Sequence, residues 1–411
     1  MVCRFRKLLF GTLILASALM HVAPASADPA QPQNYAASDV LLRLKPGGNL
    51  VAVARSHHLK LDPTKSQLDA NPIYRMVIED GTSPTSKAAE LLTDAQVEYA
   101  EPNYLTALPE ARQRSSWVVG ESDNSDSYAT QWAPQKMRLP EAHMRTRGAS
   151  AIIAVLDTGI DATHPAFQGR LVSGFDFVGE DSDPTEEGVY GIDSAFGHGT
   201  HVAGLVALAA PDARIMPLRT LSVDGTGTIW DQARALRYAI KNGANVISLS
   251  WSFSVRSKVL DDVLAEITCA NAIDSACRRS KQPGAVVVAA AGNSGTSVAE
   301  YPAADAMTGV IAVSASTEAD TLASFSTYGS WVNVAAPGER IISTVPGGGY
   351  ASWSGTSMAT PLSAGTVALV RDIFPAYNSA EIAARITTSA AKIDGPVRRR
   401  IDAAAAVRRS K

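Results

Sequence analysis

From Gln131 onward the chain alternates short apolar strands with helices, which predicts an α/β protein in three layers, a mostly parallel central sheet flanked by helices. Residues 151–156 form an unbroken apolar run, as a strand covered on both faces requires, and 215–218, 246–249, 286–290 and 310–313 repeat the pattern. Residues 202–209, 233–241, 366–374 and 380–391 read as helices between and after these strands. The region before it has a different rhythm and reads as a small α+β domain over 38–105. There 40–44 and 74–78 are strands, 50–57 and 86–92 are helices, with Pro84 suited to a first turn, and 97–104 is a closing edge strand ended by proline.

The 411 residues suggest roughly two to three domains, and 46% hydrophobic with 19% charged residues permits a large core. A net charge of −3 supplies no field for nucleic acid or a membrane surface. The clusters Arg398-Arg399-Arg400 and Arg408-Arg409 read as solvated tail.

Residues 1–27 read as an export signal. Arg4, Arg6 and Lys7 precede a 13-residue apolar run at 8–20, shorter than the about 20 residues of a membrane span. Ala25-Ser26-Ala27 supplies a small-residue cleavage pattern. Cutting after Ala27 removes Cys3 and leaves Cys269 and Cys277, which in an exported protein suggest a disulfide, with two free thiols as the alternative. On one continuous helix their Cα atoms would stand about 12 Å apart, more than the about 7 Å a disulfide spans, so a bridge requires the chain to turn between them. Residues 28–37 are a Pro/Ala/Gln-rich linker, and 106–130 read as a polar, exposed linker open to proteolysis.

Three short stretches carry the chemistry. Asp157 lies in Ala154-Val155-Leu156-Asp157-Thr158-Gly159, His198 in Gly197-His198-Gly199-Thr200-His201, and Ser357 in Gly355-Thr356-Ser357-Met358-Ala359-Thr360-Pro361. They follow in the order Asp, His, Ser, 41 and 159 residues apart. An acid, a base and a hydroxyl are the parts that activate a weak nucleophile. Asp157 ends a buried strand, where α/β sheets collect functional groups. His198 sits at the start of a helix placed from near Thr200, with Gly197 and Gly199 leaving room for a substrate backbone. His201 could pair with it on a metal, but no third ligand has the spacing zinc needs. Ser357 precedes an apolar helix whose N-terminal N–H groups and dipole favour negative charge. Pro361 falls in that helix's first turn, where its missing N–H costs nothing. Asn293, in Ala289-Ala290-Ala291-Gly292-Asn293-Ser294-Gly295, offers an amide donor for an oxyanion, with the Ser357 N–H as the second. Each residue alone has an ordinary reading, as a turn residue or a helix cap; the set of four argues for catalysis. Asp-Thr-Gly occurs once, whereas an aspartic peptidase needs two such carboxylates.

On these motifs the chain resembles the subtilisin-like serine peptidases (subtilases, peptidase family S8). Supporting stretches are Ala323-Ser324-Phe325-Ser326-Thr327-Tyr328-Gly329, Val334-Ala335-Ala336-Pro337-Gly338 and Arg400-Ile401-Asp402-Ala403-Ala404-Ala405-Ala406. The resemblance implies a subtilisin-like catalytic domain over 131–407 and a small ferredoxin-like inhibitory propeptide over 38–105. It implies that His198 is the base, that His201 and His164 are structural, and that a peptide substrate joins the enzyme as an added strand. The matching stretches are Asp224-Gly225-Thr226-Gly227-Thr228 and Ser250-Trp251-Ser252, with Gly292 in the pocket for the residue preceding the scissile bond (P1).

Four departures qualify the resemblance. Leu362 and Ser363 follow Pro361, where the family usually has His. Ser252 replaces a frequent glycine, which points to smaller P1 side chains. The calcium loop after the histidine helix looks deleted at 208–214, leaving calcium open only at Glu180, Asp181, Asp183, Glu186 and Glu187, otherwise a solvated acidic loop. Residues 268–283 look like an insertion carrying both cysteines. The expectation is an exported serine endopeptidase, secreted or periplasmic, made as a self-inhibited precursor and acting as a monomer on polypeptides. Its own propeptide is the other partner, with no nucleic acid, no membrane after signal removal and no metal in the reaction. A latent or peptidase-like binding protein and an esterase are the rivals, although Ser357 lacks the Gly-x-Ser-x-Gly elbow of α/β-hydrolases.

Overall fold

Alternation inside apolar strands sets the layers of the large domain. Along β5 (Ile152–Asp157), Ile153 and Val155 enter one core while Ala154 and Leu156 enter the other. β10 (Val286–Ala290) repeats this, with Val286 and Val288 on one face and Val287 and Ala289 on the other. A strand with period two and apolar residues at every position must be covered twice. The computed structural model describes residues 34–61, 72–110, 124–269 and 283–409. The signal segment, Cys277 and most of the expected insertion lie outside them; Cys269 is disulfide-bonded.

The N-terminal lobe runs β1 (Tyr35–Leu44), α1 (Leu50–Ser56), β2 (Leu59–Leu61), β3 (Ile73–Ile78), α2 (Pro84–Leu91) and β4 (Val97–Ala107). Its antiparallel sheet has the order β2-β3-β1-β4, the ferredoxin-like arrangement. Three short helices follow, α3 (Ser125–Thr130), α4 (Trp132–Met137) and α5 (Leu139–His143). After β5 come β6 (Phe175–Asp176), α6 (His198–Ala209), β7 (Arg214–Arg219), β8 (Thr226–Thr228), α7 (Ile229–Lys241), β9 (Val246–Leu249), α8 (Lys258–Thr268) and β10. Then follow β11 (Val310–Ser316), β12 (Val334–Pro337), the hairpin β13 (Ile341–Val345) and β14 (Gly349–Trp353), α9 (Thr356–Ile373) and α10 (Ser379–Ser389). The strands β15 (Ala391–Lys392) and β16 (Arg399–Arg400) and the short α11 (Ala403–Ala406) close the chain. The sheet order is β15-β16-β12-β11-β10-β9-β5-β7-β6, parallel except at β15–β16. Val202 and Val206 of α6 and Val367 of α9 fill one core, Trp230 and Leu236 of α7 and Val263 of α8 the other.

Three expectations are corrected. The strand β4 does not end at Tyr104 and is not an edge. It continues to Ala107 and pairs with β1 on one side and β8 on the other, with Leu105 opposite Thr228 and Thr106 opposite Gly227. The span 106–130 is not uniformly an exposed linker: 106–110 are strand and turn, with Leu108 and Glu110 buried, and 125–130 are helical. Pro361 is not in the first turn, because α9 begins at Thr356, ten residues before the start read from the sequence. Its ring deprives the Ser357 carbonyl of the usual helical donor; the Ser250 hydroxyl donates to that carbonyl instead, at 3.1 Å.

The lobe is fastened to the large domain through helix termini. The first four N–H groups of a helix have no internal partner. At α8 the Glu101 carboxylate on β4 accepts from Lys258 N (2.7 Å) and Val259 N (3.3 Å). Ser257 accepts the next two, from Leu260 through its hydroxyl and from Asp261 through its carbonyl. At α7, Asn103 Oδ1 accepts from Trp230 N at 3.1 Å. We expect Glu101→Ala, made in a Ser357→Ala background to prevent self-cleavage, to lower unfolding stability by about 1–2 kcal/mol, the scale of a lost cap. Thermal or urea unfolding of the two chains measures it.

Candidate active site

The residues singled out from sequence meet at the carboxyl ends of β5, β9 and β10 and at the start of α9. Asp157 is the last residue of β5, and its Oδ1 accepts from Thr158 N at 2.8 Å and from His198 Nδ1 at 2.6 Å. Both side chains are buried. A carboxylate bonded to Nδ1 fixes the tautomer that leaves Nε2 facing the cleft. Two further contacts hold this pair. Glu186 is buried and accepts from Thr200 N (3.0 Å) and Thr200 Oγ1 (2.7 Å) on α6 and from Thr158 Oγ1 beside Asp157. Burial pushes its carboxyl up.

Backbone approach is the second contact. A Cβ at Gly199 would lie 2.1 Å from the Gly159 carbonyl oxygen. The expectation that Gly197 and Gly199 clear space for substrate is therefore corrected. Gly199 lets α6 abut the turn after β5, and Gly197 has φ +89° with Pro346 against it. The helix also starts at His198 rather than near Thr200.

Ser357 is the second residue of α9. Its Oγ lies 3.1 Å from the Ser250 carbonyl and 2.7 Å from Glu110 Oε2. That same Glu110 oxygen stands 3.8 Å from His198 Nε2. Asn293 Oδ1 accepts from both Thr356 N and Thr356 Oγ1 at 2.9 Å. A backbone N–H can only donate, so the atom facing it is the amide oxygen and Asn293 Nδ2 is left toward the cleft, where it bonds the Glu110 carboxylate. A Cβ at Gly355 would lie 1.9 Å from Glu110 Oε1 and 3.2 Å from Asn293 Nδ2, so the carboxylate sits where those groups converge. Burial pushes the Glu110 carboxyl up. Burial would lower His198, but Asp157, Glu110 and Glu186 outweigh it and the imidazole is raised.

Glu110 arrives on a strand. Ala107 exchanges both backbone bonds with Ser252 (3.0 and 2.9 Å), and Leu108 N donates to the Gly225 carbonyl at 3.1 Å. With Gly227 opposite Thr106, the stretches 225–228 and 250–252 flank an extended segment of the same chain. Of the expected substrate residues, Gly225, Gly227, Ser250 and Ser252 touch this segment or Ser357, while Trp251 is buried in the second core. Gly292, one residue from Asn293, lies against the Glu300 carboxylate. No sequence motif marked Glu110 or Glu300, and Glu186, which the sequence offers only to calcium or to a solvated acidic loop, is buried against Thr158 and Thr200 instead.

His201 accounts for no metal. It is buried, stacked on Trp353 at 4.4 Å with Nε2 3.1 Å from the Ala351 carbonyl, and desolvation lowers its pKa to about 3. His164 spans a turn, its two nitrogens on Ala166 N and the Gly349 carbonyl. In the acidic loop Glu180 pairs with Arg234 and Glu187 with Arg219. Among the described residues no group of three or more His, Cys, Asp or Glu is arranged to hold a metal ion.

Removing a negative neighbour should lower the imidazole's pKa, because the protonated ring loses an attraction. In the Ser357→Ala chain, Glu110→Gln should lower the His198 pKa by about one unit. NMR titration of the ring protons reads it, and an unchanged value would contradict the placement of Glu110.

A sequence model of the subtilase family matches residues 148–404. The chain is 40% identical over 312 residues to a thermophilic serine proteinase of Bacillus sp. (strain AK1), covering 73% of this chain and 69% of that protein. It is 39% identical over 275 residues to thermitase of Thermoactinomyces vulgaris, covering 64% of this chain and 90% of that one. The fold is similar to the crystal structure of fervidolysin from Fervidobacterium pennivorans, described as a keratinolytic enzyme related to subtilisin, with a TM-score of 0.73 and 23% identity. That likeness covers 92% of this chain and 62% of the fervidolysin chain and speaks for the fold alone. With a family match across the domain that holds the buried acid, imidazole and hydroxyl, the chain belongs to the subtilase family and is a subtilisin-like serine peptidase.

Proposed function

We propose that the chain is the precursor of an exported serine endopeptidase, inhibited by its own N-terminal lobe and working through Asp157, His198, Ser357 and Asn293. The observation that carries this reading is the segment 105–110, paired on both sides in the cleft with Glu110 on the Ser357 hydroxyl. A polypeptide bound as an added strand is the substrate geometry this cleft favours.

Once the segment leaves, His198 takes the Ser357 proton as Oγ attacks the scissile carbonyl, and Asp157 stabilises the imidazolium. Asn293 Nδ2 and the Ser357 N–H receive the oxyanion. His198 then returns the proton to the leaving amine, and water repeats the steps on the acyl-enzyme. The protein's own Glu110 carboxylate stands at the Asn293 amide, where the oxyanion would develop.

In this reading residues 1–27 are a signal peptide, 38–105 with its extension to Glu110 a propeptide, and the mature enzyme is a secreted or periplasmic monomer. Among the described residues no helix is long and apolar enough to cross a membrane.

The purified full-length chain should cut itself at or beside Glu110, within 100–130, and gain activity on denatured protein substrates. Ser357→Ala should remain intact. Gel electrophoresis with mass spectrometry of the new termini decides it: an intact unaltered chain, or equal cutting of both, would reject the proposal.

A further inference from the structure

Glu186 is a buried acid outside the Asp-His-Ser chemistry, yet its bonds reach the residues beside both Asp157 and His198. Backbone pairing brings it there. Ile160 N donates to the Pro184 carbonyl at 3.0 Å and Glu186 N to the Ile160 carbonyl at 3.1 Å, and a Cβ at Gly159 would fall 2.9 Å from the Glu186 Cα. Thr158 then serves two carboxylates at once. Its N–H donates to Asp157 Oδ1 and its hydroxyl to Glu186 Oε1, while that hydroxyl accepts from Gly199 N at 2.8 Å, next to His198. On α6, Thr200 gives Glu186 Oε2 both its N–H and its hydroxyl, and the hydroxyl accepts from Asp161 N at 2.9 Å.

Both Glu186 oxygens therefore face donors. A protonated carboxyl would set its own O–H against one of them, so the network fits the ionised form. Burial raises the carboxyl's pKa, and the three donated bonds oppose that rise. Asp157 and Glu186 are thus two acids joined through Thr158, and both raise the His198 imidazole. Attack by Ser357 turns that imidazole into an imidazolium, which a fixed negative charge in a buried site stabilises. We propose that Glu186 is a positioning residue of the catalytic centre, holding α6 against the end of β5 and supporting the protonated His198 with a second buried charge.

This inference rests on the endopeptidase reading, and its test separates the two. The self-processed enzyme and its Glu186→Gln and Glu186→Asp forms are assayed on one peptide across pH. A Gln can keep its oxygen on Thr200 and turn its amide to the Thr158 hydroxyl, so it removes the charge with little change of shape. The acid limb of kcat/KM, which reports the base of the free enzyme, should move down by about one unit in the Gln form. Its kcat at neutral pH should fall about tenfold, the rate equivalent of one unit, with KM little changed. The Asp form keeps the charge and should keep the acid limb near its original place. A role confined to packing would lower the unfolding temperature and leave the acid limb where it was. An unmoved limb in the Gln form overturns the inference, as does an Asp form that shifts as far as Gln. If the Gln form does not process itself, the His198 ring is titrated by NMR in the full-length Ser357→Ala chain, where Asp157, Glu110 and His201 surround it unchanged. A fall of about one unit on adding Glu186→Gln supports the role, and no fall overturns it. Failure of the unaltered enzyme to cut any peptide would instead remove the endopeptidase reading, and the ring titration would still decide what Glu186 does to His198.

Discussion

A hydrogen bond of 2.6 Å between Asp157 and His198, buried at both ends, governs the architecture around it. It joins the end of a central strand to the first residue of a helix 41 positions later. To make it, α6 has to press its first turn against the turn after β5, and only a residue without a Cβ permits that approach at Gly199, while a Cβ at Gly159 would meet the backbone of 184–186. Glu186 then ties the same two pieces with charge-assisted bonds that leave little freedom between them. The helix start also supplies the orientation of His198, whose outer nitrogen turns to the cleft.

The serine side is held by a different compensation. A proline six residues into α9 costs the helix a hydrogen bond, and the deprived carbonyl belongs to Ser357 itself. Ser250 repairs that loss while its own carbonyl lies beside the Ser357 hydroxyl. A wall of the cleft is thus bonded to the Ser357-bearing turn in both directions. Thr356 does the corresponding work for Asn293, taking the amide oxygen so that the amide nitrogen is left for the cleft.

The N-terminal lobe contacts the large domain where its unsatisfied donors are. Glu101 and Asn103 meet the N-termini of α8 and α7, and the same strand runs on between β8 and Ser252. Docking and occupation of the cleft are thus properties of one strand. At its end the Glu110 carboxylate lies against the Ser357 hydroxyl, the His198 imidazole and the Asn293 amide, and its pKa rises because it is desolvated there.

Local pattern was enough for much of this protein. Apolar runs predicted strands β5, β7, β9, β10 and β11 because a doubly covered strand needs apolar residues at every position. Motif chemistry picked out Asp157, His198, Ser357 and Asn293, which the fold gathers at one edge of the sheet. The start of α9 was missed because Pro361 looks like a first-turn proline until the Ser250 hydroxyl is seen to serve the freed carbonyl. The course of β4 was missed because its second partner, β8, is 119–123 residues away in sequence. Glu110 and Glu300 are single acidic residues in ordinary contexts, Glu186 is one of an acidic run, and nothing in their neighbours' identity separates them from solvated loop positions. Their roles come from long-range packing, which alone sets what each carboxylate faces and how much water it loses.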